Sequence, residues 1–257
     1  TDLIRHITPL EKERISDPEA ALDGRPLRLS AVRVCSPIPH PEQDIICLGV
    51  NYAAHADESA QFDRKAFLLD RKKATYFSKR AYQTSGPDDL IPSYPELVTS
   101  LDYEAELAVI IGRDCKNVCE RDAAACIFGY TVLNDVSARN LQTEHNQWYF
   151  GKSLDGFTPL GPCIITEDEV PYPPELAISS TVNGETRQNS NTRCLLHSIS
   201  EIIAELSQGM TLLAGTIIAT GTPAGVGMGF NPPKFLKSGD IVTCEIEKIG
   251  KLTNMVK

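Results

Sequence analysis

The sequence predicts an α+β fold rich in β-structure, built on a mixed or antiparallel sheet, with a small N-terminal appendage. Three observations predict it. The β-prone runs are many, short and interrupted while helical patterns are few, unlike a regular βαβ alternation. The chain has 257 residues, enough for one large domain or one domain with a small addition. Composition also changes near residue 45: residues 1–44 are charged and broken by prolines, and the apolar runs begin at Ile45. The expected organisation is a small region at 1–44 and a main domain at 45–257.

Each element has its own local reason. Residues 27–34 alternate in polarity like a strand, and Pro37, Pro39 and Pro41 read as a linker. Ile45-Ile46-Cys47-Leu48-Gly49-Val50 is a strand of the buried type. Residues 59–73 are rich in Lys, Arg and Asp with spaced Phe and Leu, and fit either an amphipathic helix or a mobile lid. Gly86-Pro87-Asp88-Asp89 is a turn. A strand is expected over 106–111, a short alanine-rich helix over 120–128, and a β-prone run over 130–133 that ends at Asn134-Asp135. Residues 176–182 followed by Asn183-Gly184 give a strand and a hairpin turn. Ile199, Ile202, Ile203 and Leu206 recur at helical spacing, with Ser198 or Ser200 as cap and Glu201 in the first turn. Late strands are expected over 216–220 and 241–249. No internal repeat occurs.

The formal net charge of −9 argues against a nucleic-acid binder, which needs a basic surplus to neutralise phosphates. It leaves anionic small substrates open, because a metal and a few cations can set the field of one cleft. The eight cysteines are scattered, with no C-x-x-C, and read as reduced, mostly buried thiols. The first residues lack the apolar segment of a signal peptide, and no apolar run is long enough to cross a bilayer. A cytoplasmic location without membrane attachment is the expectation.

The chemistry starts at Leu101-Asp102-Tyr103-Glu104-Ala105-Glu106-Leu107. Side chains at i and i+2 of a strand share a face, so Glu104 and Glu106 project side by side from an apolar run. Two close carboxylates repel each other and resist burial. A hard divalent cation with oxygen ligands is the simplest partner. Asp135, at the end of a β-prone run, either completes such a site or caps its own turn; with the glutamate pair in view the ligand reading is favoured.

His55 and Glu58 share one helical face at i, i+3. They form either an imidazole–carboxylate dyad suited to general-base work or a surface pair without consequence. Lys79 and Lys152 can each bind a carboxylate or polarise a carbonyl, although most lysines are simply solvated. Arg139 and Gln142 can read a substrate carboxylate on the side of Asp135. The glycine-rich stretch 221–229 follows a strand, but Pro232-Pro233 comes next instead of a helix. That excludes a dinucleotide loop and leaves a turn that approaches a ligand closely, or a plain turn.

Taken together, these residues resemble a known family. Gly49-Val50-Asn51-Tyr52 with His55 and Glu58, the run 101–107, Gly129-Tyr130-Thr131 with Asn134-Asp135-Val136-Ser137-Ala138-Arg139, Gly151-Lys152-Ser153-Leu154-Asp155-Gly156-Phe157, Val182-Asn183-Gly184-Glu185 and Gly221-Thr222-Pro223 occur in order. The chain is similar to the fumarylacetoacetate hydrolase family from about Ile45 to its end. The resemblance implies a β-rich α+β catalytic domain, usually a homodimer, that binds Mg²⁺ or a similar ion such as Mn²⁺ or Ca²⁺. It implies small 2-oxo or enol carboxylates as substrates. By motif, Glu104, Glu106 and Asp135 are the metal ligands, and His55 with Glu58 activates water or shuttles a proton. Lys152, with Lys79, contacts the oxo-carboxylate or stabilises the enolate, and Arg139, Gln142 and Thr222 line the substrate pocket. The chain departs from the family in Asn140, where Asp is usual, and in the basic insert 59–73, which is expected to reshape the lid.

The shared physical problem is negative charge on an enolate oxygen beside a carboxylate. If His55 activates water, the outcome is C–C hydrolysis of an acylpyruvate or diketo acid, the first expectation because the dyad is intact. If no water is placed, the same centre supports decarboxylation of an oxaloacetate-like acid or keto–enol or double-bond isomerisation. A metal and 2-oxo-acid binding protein without turnover is the expectation of a different class, and a thiol-redox role is disfavoured by cysteine spacing.

Overall fold

The computed structural model describes residues 32–67 and 71–257. Two packed sheets build the body, and they are mixed and largely antiparallel, as the sequence predicts. The first runs in the order β2-β1-β11-β5-β6-β8, with β1 (Ile45–Gly49), β2 (Thr75–Lys79), β5 (Ala105–Ile111), β6 (Ile127–Asn134), β8 (Leu160–Thr166) and β11 (Ile217–Ala219). Only β1 and β11 are parallel within it. The second runs β10-β9-β12-β13-β3, with β3 (Leu90–Ile91), β9 (Ala177–Val182), β10 (Glu185–Asn191), β12 (Ile241–Ile246) and β13 (Gly250–Val256). A ribbon of β4 (Leu101–Asp102) and β7 (Ser137–Ala138) stands beside them.

Strand β5 is buried along its whole length, which explains its continuous apolar run. Leu107, Val109 and Ile111 pack into the core shared with Ile178, Val242 and Leu252 of the second sheet. Ala108 and Ile110 face a second apolar cluster with Ile45, Cys47 and Leu133. By the strand period of two, Glu106 continues the Ala108–Ile110 face. Residues 32–44 lie against this body: Ile38 is buried, and Thr84 Oγ1 donates to Ile38 O at 2.6 Å.

The local signals fare unevenly. Asn183 (φ 52°) and Gly184 (φ 81°) make the β9–β10 hairpin turn. Helix α5 (Ile199–Ser207) carries a capping box of Ser198 and Glu201. Residues 120–126 form a 3₁₀-helix, and Ile127 and Phe128 open β6; the register Ile111↔Ile127 takes them into the sheet. The expected strand 241–249 ends at Ile246 and the chain turns back into β13. Of the strand expected over 27–34, residues 27–31 lie outside the described residues and 32–34 are not strand. The insert 59–73 is helical in part: α1 (Ala53–Phe62) and α2 (Arg64–Phe67). Residues 68–70 lie outside the described residues. Two short helices, α3 (Arg139–Glu144) and α4 (Tyr149–Lys152), follow β7 and precede α5. All eight cysteines are free, but only Cys47, Cys115, Cys126 and Cys244 are buried; Cys35, Cys119, Cys163 and Cys194 are exposed, so the thiols are less buried than expected. No described helix is long and apolar enough to cross a membrane.

Candidate active site

Glu104, Glu106 and Asp135 meet at one point: all three are buried and their ligand oxygens lie within 4.8 Å of one another. Strand register causes this. Ala105 pairs with Asn134, so Asp135 falls opposite Glu104, and Asp135 N donates to Glu104 O at 2.9 Å. Asn134 Oδ1 in turn accepts from Glu104 N at 3.0 Å. Glu104 precedes the strand proper and still shares the side of Glu106.

Three buried cations surround the carboxylates. Lys152 Nζ lies 2.7 Å from Glu104 Oε2 and 2.6 Å from Asp135 Oδ2. Arg139 Nη1 lies 2.7 Å from Glu104 Oε1, and its Nε 2.9 Å from Asp102 Oδ2. Lys79 Nζ lies 2.7 Å from Asp135 Oδ1 and donates to the carbonyls of Val136 at 3.1 Å and Lys152 at 2.5 Å. Its ammonium is therefore consumed behind Asp135, and Lys79 does not line the pocket described below. It holds a carboxylate of the protein instead of one from a substrate.

Burial raises the Glu104 carboxyl, but Lys152 and Arg139 outweigh burial and hold it well below the usual carboxylate range. Glu106 goes the other way: burial, then the charges of Asp135 and Glu104, push it well up. Burial lowers Lys152, yet Asp135 and Glu104 outweigh it and keep the ammonium protonated. Glu106 has no ion pair among the described residues; Gly221 N–H donates to its Oε2 at 2.9 Å. Asp135 Oδ1 is buried without a directed hydrogen bond, its approach to Lys79 being an ion pair by distance alone. A like-charged cluster with a spare carboxylate and a spare lone pair, all in oxygen, fits a hard divalent cation.

The dyad comes from α1. His55 Nδ1 lies 2.8 Å from Glu58 Oε1, and both side chains are largely buried, so the pair is no solvated surface contact. Gly225 N–H donates to both Glu58 oxygens, at 3.1 and 3.0 Å. Gly225 has φ 104°, and a Cβ there would meet Arg187 O at 2.0 Å, so only glycine brings this backbone so close. The glycine-rich loop thus touches both Glu106 and Glu58.

These groups face one narrow pocket, lined by His55, Glu104, Glu106, Arg139, Gln142, Lys152 and Thr222, with Phe67, Phe77 and Trp148 as an apolar wall. Trp148 packs on Phe67 and Phe77 with ring centroids 5.3 Å apart in each case. Phe67 belongs to α2, so the insert closes the pocket. Arg139 Nη1 also donates to Gln142 Oε1 at 2.9 Å, while its Nη2 is buried without a hydrogen-bond partner and remains a donor for an anionic ligand. Thr222 Oγ1 donates to Ala105 O at 2.9 Å.

Two residues that the sequence reading passed over also shape the site. Asp102, fully buried, accepts from Arg139 and from the N–H groups of Gly227 at 2.6 Å and Met228 at 3.0 Å. Its place two residues before Glu104 is the one signal that could have found it. Gln188, buried on β10, accepts from the backbone N–H of Ala105 between the two glutamates at 3.0 Å. Asn140 is half-buried and bridges Leu97 O at 3.0 Å and Thr99 N at 3.2 Å; it holds the approach to β4 and touches no carboxylate of the cluster.

The family model described as Fumarylacetoacetate (FAA) hydrolase C-terminal matches residues 44–257. The chain belongs to the fumarylacetoacetate hydrolase family. Among its relatives, oxaloacetate tautomerase YisK of Bacillus subtilis is 44% identical over 228 residues, 89% of this chain and 74% of the relative. The mitochondrial oxaloacetate tautomerase fahd2 of Xenopus laevis is 40% identical over 257 residues, 98% of this chain and 78% of the relative. The fumarylacetoacetate hydrolase of Exiguobacterium antarcticum superposes with a TM-score of 0.80 at 43% identity, covering 91% of this chain and 82% of that one. The chain is an enzyme of this family, with the buried acidic triad in place.

Proposed function

We propose that the chain is a metal-dependent tautomerase of small 2-oxo dicarboxylic acids of the oxaloacetate class. The observation that carries the reading is the narrow pocket. It joins His55 to Glu104 and Glu106 of the acidic triad, with Arg139, Gln142 and Lys152 beside them, and so sets one base and the groups for an enol and its carboxylate around one space. Two relatives with 44% and 40% identity are named oxaloacetate tautomerases, which supports the same reading.

Glu104, Glu106 and Asp135 would hold Mg²⁺, or Mn²⁺ or Ca²⁺ in its place. Such an ion, when bound, offsets negative charge that develops on the 2-oxygen of the substrate. The chain's own residues do the rest. Glu58 holds the proton of His55 on Nδ1, which leaves Nε2, with Ser59 Oγ 3.4 Å away, as the base that removes or returns the proton at C3. The Lys152 ammonium donates a hydrogen bond to the 2-oxygen and gives or takes the proton there as His55 takes or gives the one at C3, both groups being reset by exchange with water. Arg139 Nη2 and Gln142 orient a carboxylate. Phe67, Phe77 and Trp148 keep bulk water out. The reading includes a homodimer, as the family resemblance implies.

One observation favours a second reading. The His55–Glu58 dyad is intact and buried, as acylpyruvate hydrolysis would require if α1 and α2 open far enough to admit water. The test is to follow decay of the enol absorbance of oxaloacetate with Mg²⁺, beside pyruvate release from acetylpyruvate and from oxaloacetate. Fast enol decay without matching pyruvate release is expected. Pyruvate release as fast as enol decay would replace tautomerisation with hydrolysis or decarboxylation, and no turnover of any of them would leave a binding protein.

A further inference from the structure

We propose that Gln188 is a positioning residue for the metal centre, its side-chain amide clamping the segment of Glu104 and Glu106 to the loop that carries Thr222 and Gly225. Gln188 sits on β10, an edge strand of mostly polar sequence, yet it is 0% exposed. The register of β10 on β9 shifts between Thr186 and Gln188. Arg187 is the extra residue of that bulge, and a bulge re-aims the side chain beside it. Here it turns Gln188 into the space between the two sheets.

The amide is used to its full capacity. Gln188 Oε1 accepts from Ala105 N at 3.0 Å and from Ser180 Oγ at 2.8 Å. Its Nε2 donates to Thr222 Oγ1 at 2.7 Å and to Pro223 O at 2.7 Å. Two donors and two acceptor sites are all that a glutamine amide has. Thr222 Oγ1 then donates to Ala105 O at 2.9 Å. Gln188 and Thr222 together hold both polar backbone groups of Ala105, the residue between the two glutamates. The loop gripped at Thr222 and Pro223 also supplies Gly221 N–H to Glu106 and Gly225 N–H to Glu58. One amide on the opposite sheet therefore fixes the carboxylates and, through the loop, the partner of His55. Partners that orient ligands in this way tune metal affinity.

The inference rests on the metal centre proposed above and not on which reaction it serves. The experiment titrates the metal-free protein with Mn²⁺, read by electron paramagnetic resonance, beside thermal melts followed by circular dichroism. Gln188→Met keeps the length and removes all four hydrogen bonds. It is expected to weaken Mn²⁺ binding roughly 10- to 100-fold at temperatures where the variant is folded. Asn254→Leu is the comparison for a buried amide of purely structural use, since Asn254 Nδ2 donates to Gly86 O and Asp89 O, both at 2.9 Å. It should lower the melting temperature and leave Mn²⁺ affinity unchanged. If Gln188→Met does not fold, Gln188→Asn takes its place, retaining the amide with a reach one methylene too short; the same weakening is expected. Wild-type affinity in a folded Gln188 variant, with Glu106→Gln having lost the ion, overturns the clamp and leaves the metal centre standing. Wild-type affinity in Glu106→Gln overturns the metal centre itself.

Discussion

Replacing Asp102 with Asn tests the support of the site from beneath. Four donors point at this fully buried carboxylate. Tyr103 N and Gly227 N reach Oδ1 at 2.9 and 2.6 Å, and Arg139 Nε and Met228 N reach Oδ2 at 2.9 and 3.0 Å. Either orientation of the asparagine amide sets its NH₂ against two of those donors, so no flip relieves the conflict. Two hydrogen bonds to a charged acceptor are lost, each contributing about 1.5–3 kcal/mol. Asp102→Asn should therefore cost about 3–6 kcal/mol, a large part of the ~5–15 kcal/mol available to a domain. Equilibrium urea unfolding of the metal-free protein measures it. Turnover by the folded fraction should fall roughly 10- to 100-fold, because Arg139 loses the anchor that aims it at Glu104. A loss of stability under about 1 kcal/mol, beyond the error of extrapolation, would refute the reasoning, because it would mean that the four donors find other acceptors.

Other outcomes follow from the same geometry. Glu106→Gln should abolish both Mg²⁺ binding, by calorimetry, and turnover, while the metal-free variant melts no lower than the metal-free parent, since a repelled buried charge is removed and the Gly221 N–H keeps an oxygen acceptor. Phe67→Ala should raise KM more than it lowers kcat in the enol assay, since it removes a wall of the pocket and none of the polar groups. Ile38→Ala should lower stability by about 2–5 kcal/mol in a denaturant melt, because Ile38 is 2% exposed against the body. Multi-angle light scattering should give twice the chain mass; a monomer at assay concentration would remove the homodimer from the reading.

What the sequence made legible was what adjacent residues determine. The period of two puts Glu104 and Glu106 together, the i, i+3 spacing joins His55 to Glu58, and Ser198 with Glu201 marks the start of α5. Asp135 was within reach because a hairpin-like register brings a strand end back to a strand start. What stayed hidden depends on chain segments that meet late. Asp102 finds Arg139 from 37 residues away and Gln188 finds Ala105 from 83, and no local pattern encodes either partner. Lys79 was expected to contact the substrate, and only its three partners in the protein, brought from distant segments, show it spent elsewhere. Strand β10, Glu185–Asn191, has no apolar alternation because it is an edge strand with one buried anchor. The helix expected over 120–128 gave way where Ile127 and Phe128 gained more from the sheet than from continuing a turn.

The two helices over the pocket share more than proximity. Only Asp63 separates α1 from α2. Its N–H donates to Ser59 O at 3.0 Å, and its carboxylate takes the N–H groups of Lys65 and Ala66 at 2.9 and 3.0 Å. The wall residue Phe67 and the base His55 are consequently carried by one continuous hydrogen-bonded segment, residues 53–67. A substitution at Asp63 therefore reaches two parts of the pocket at once, the apolar wall at Phe67 and the imidazole of His55.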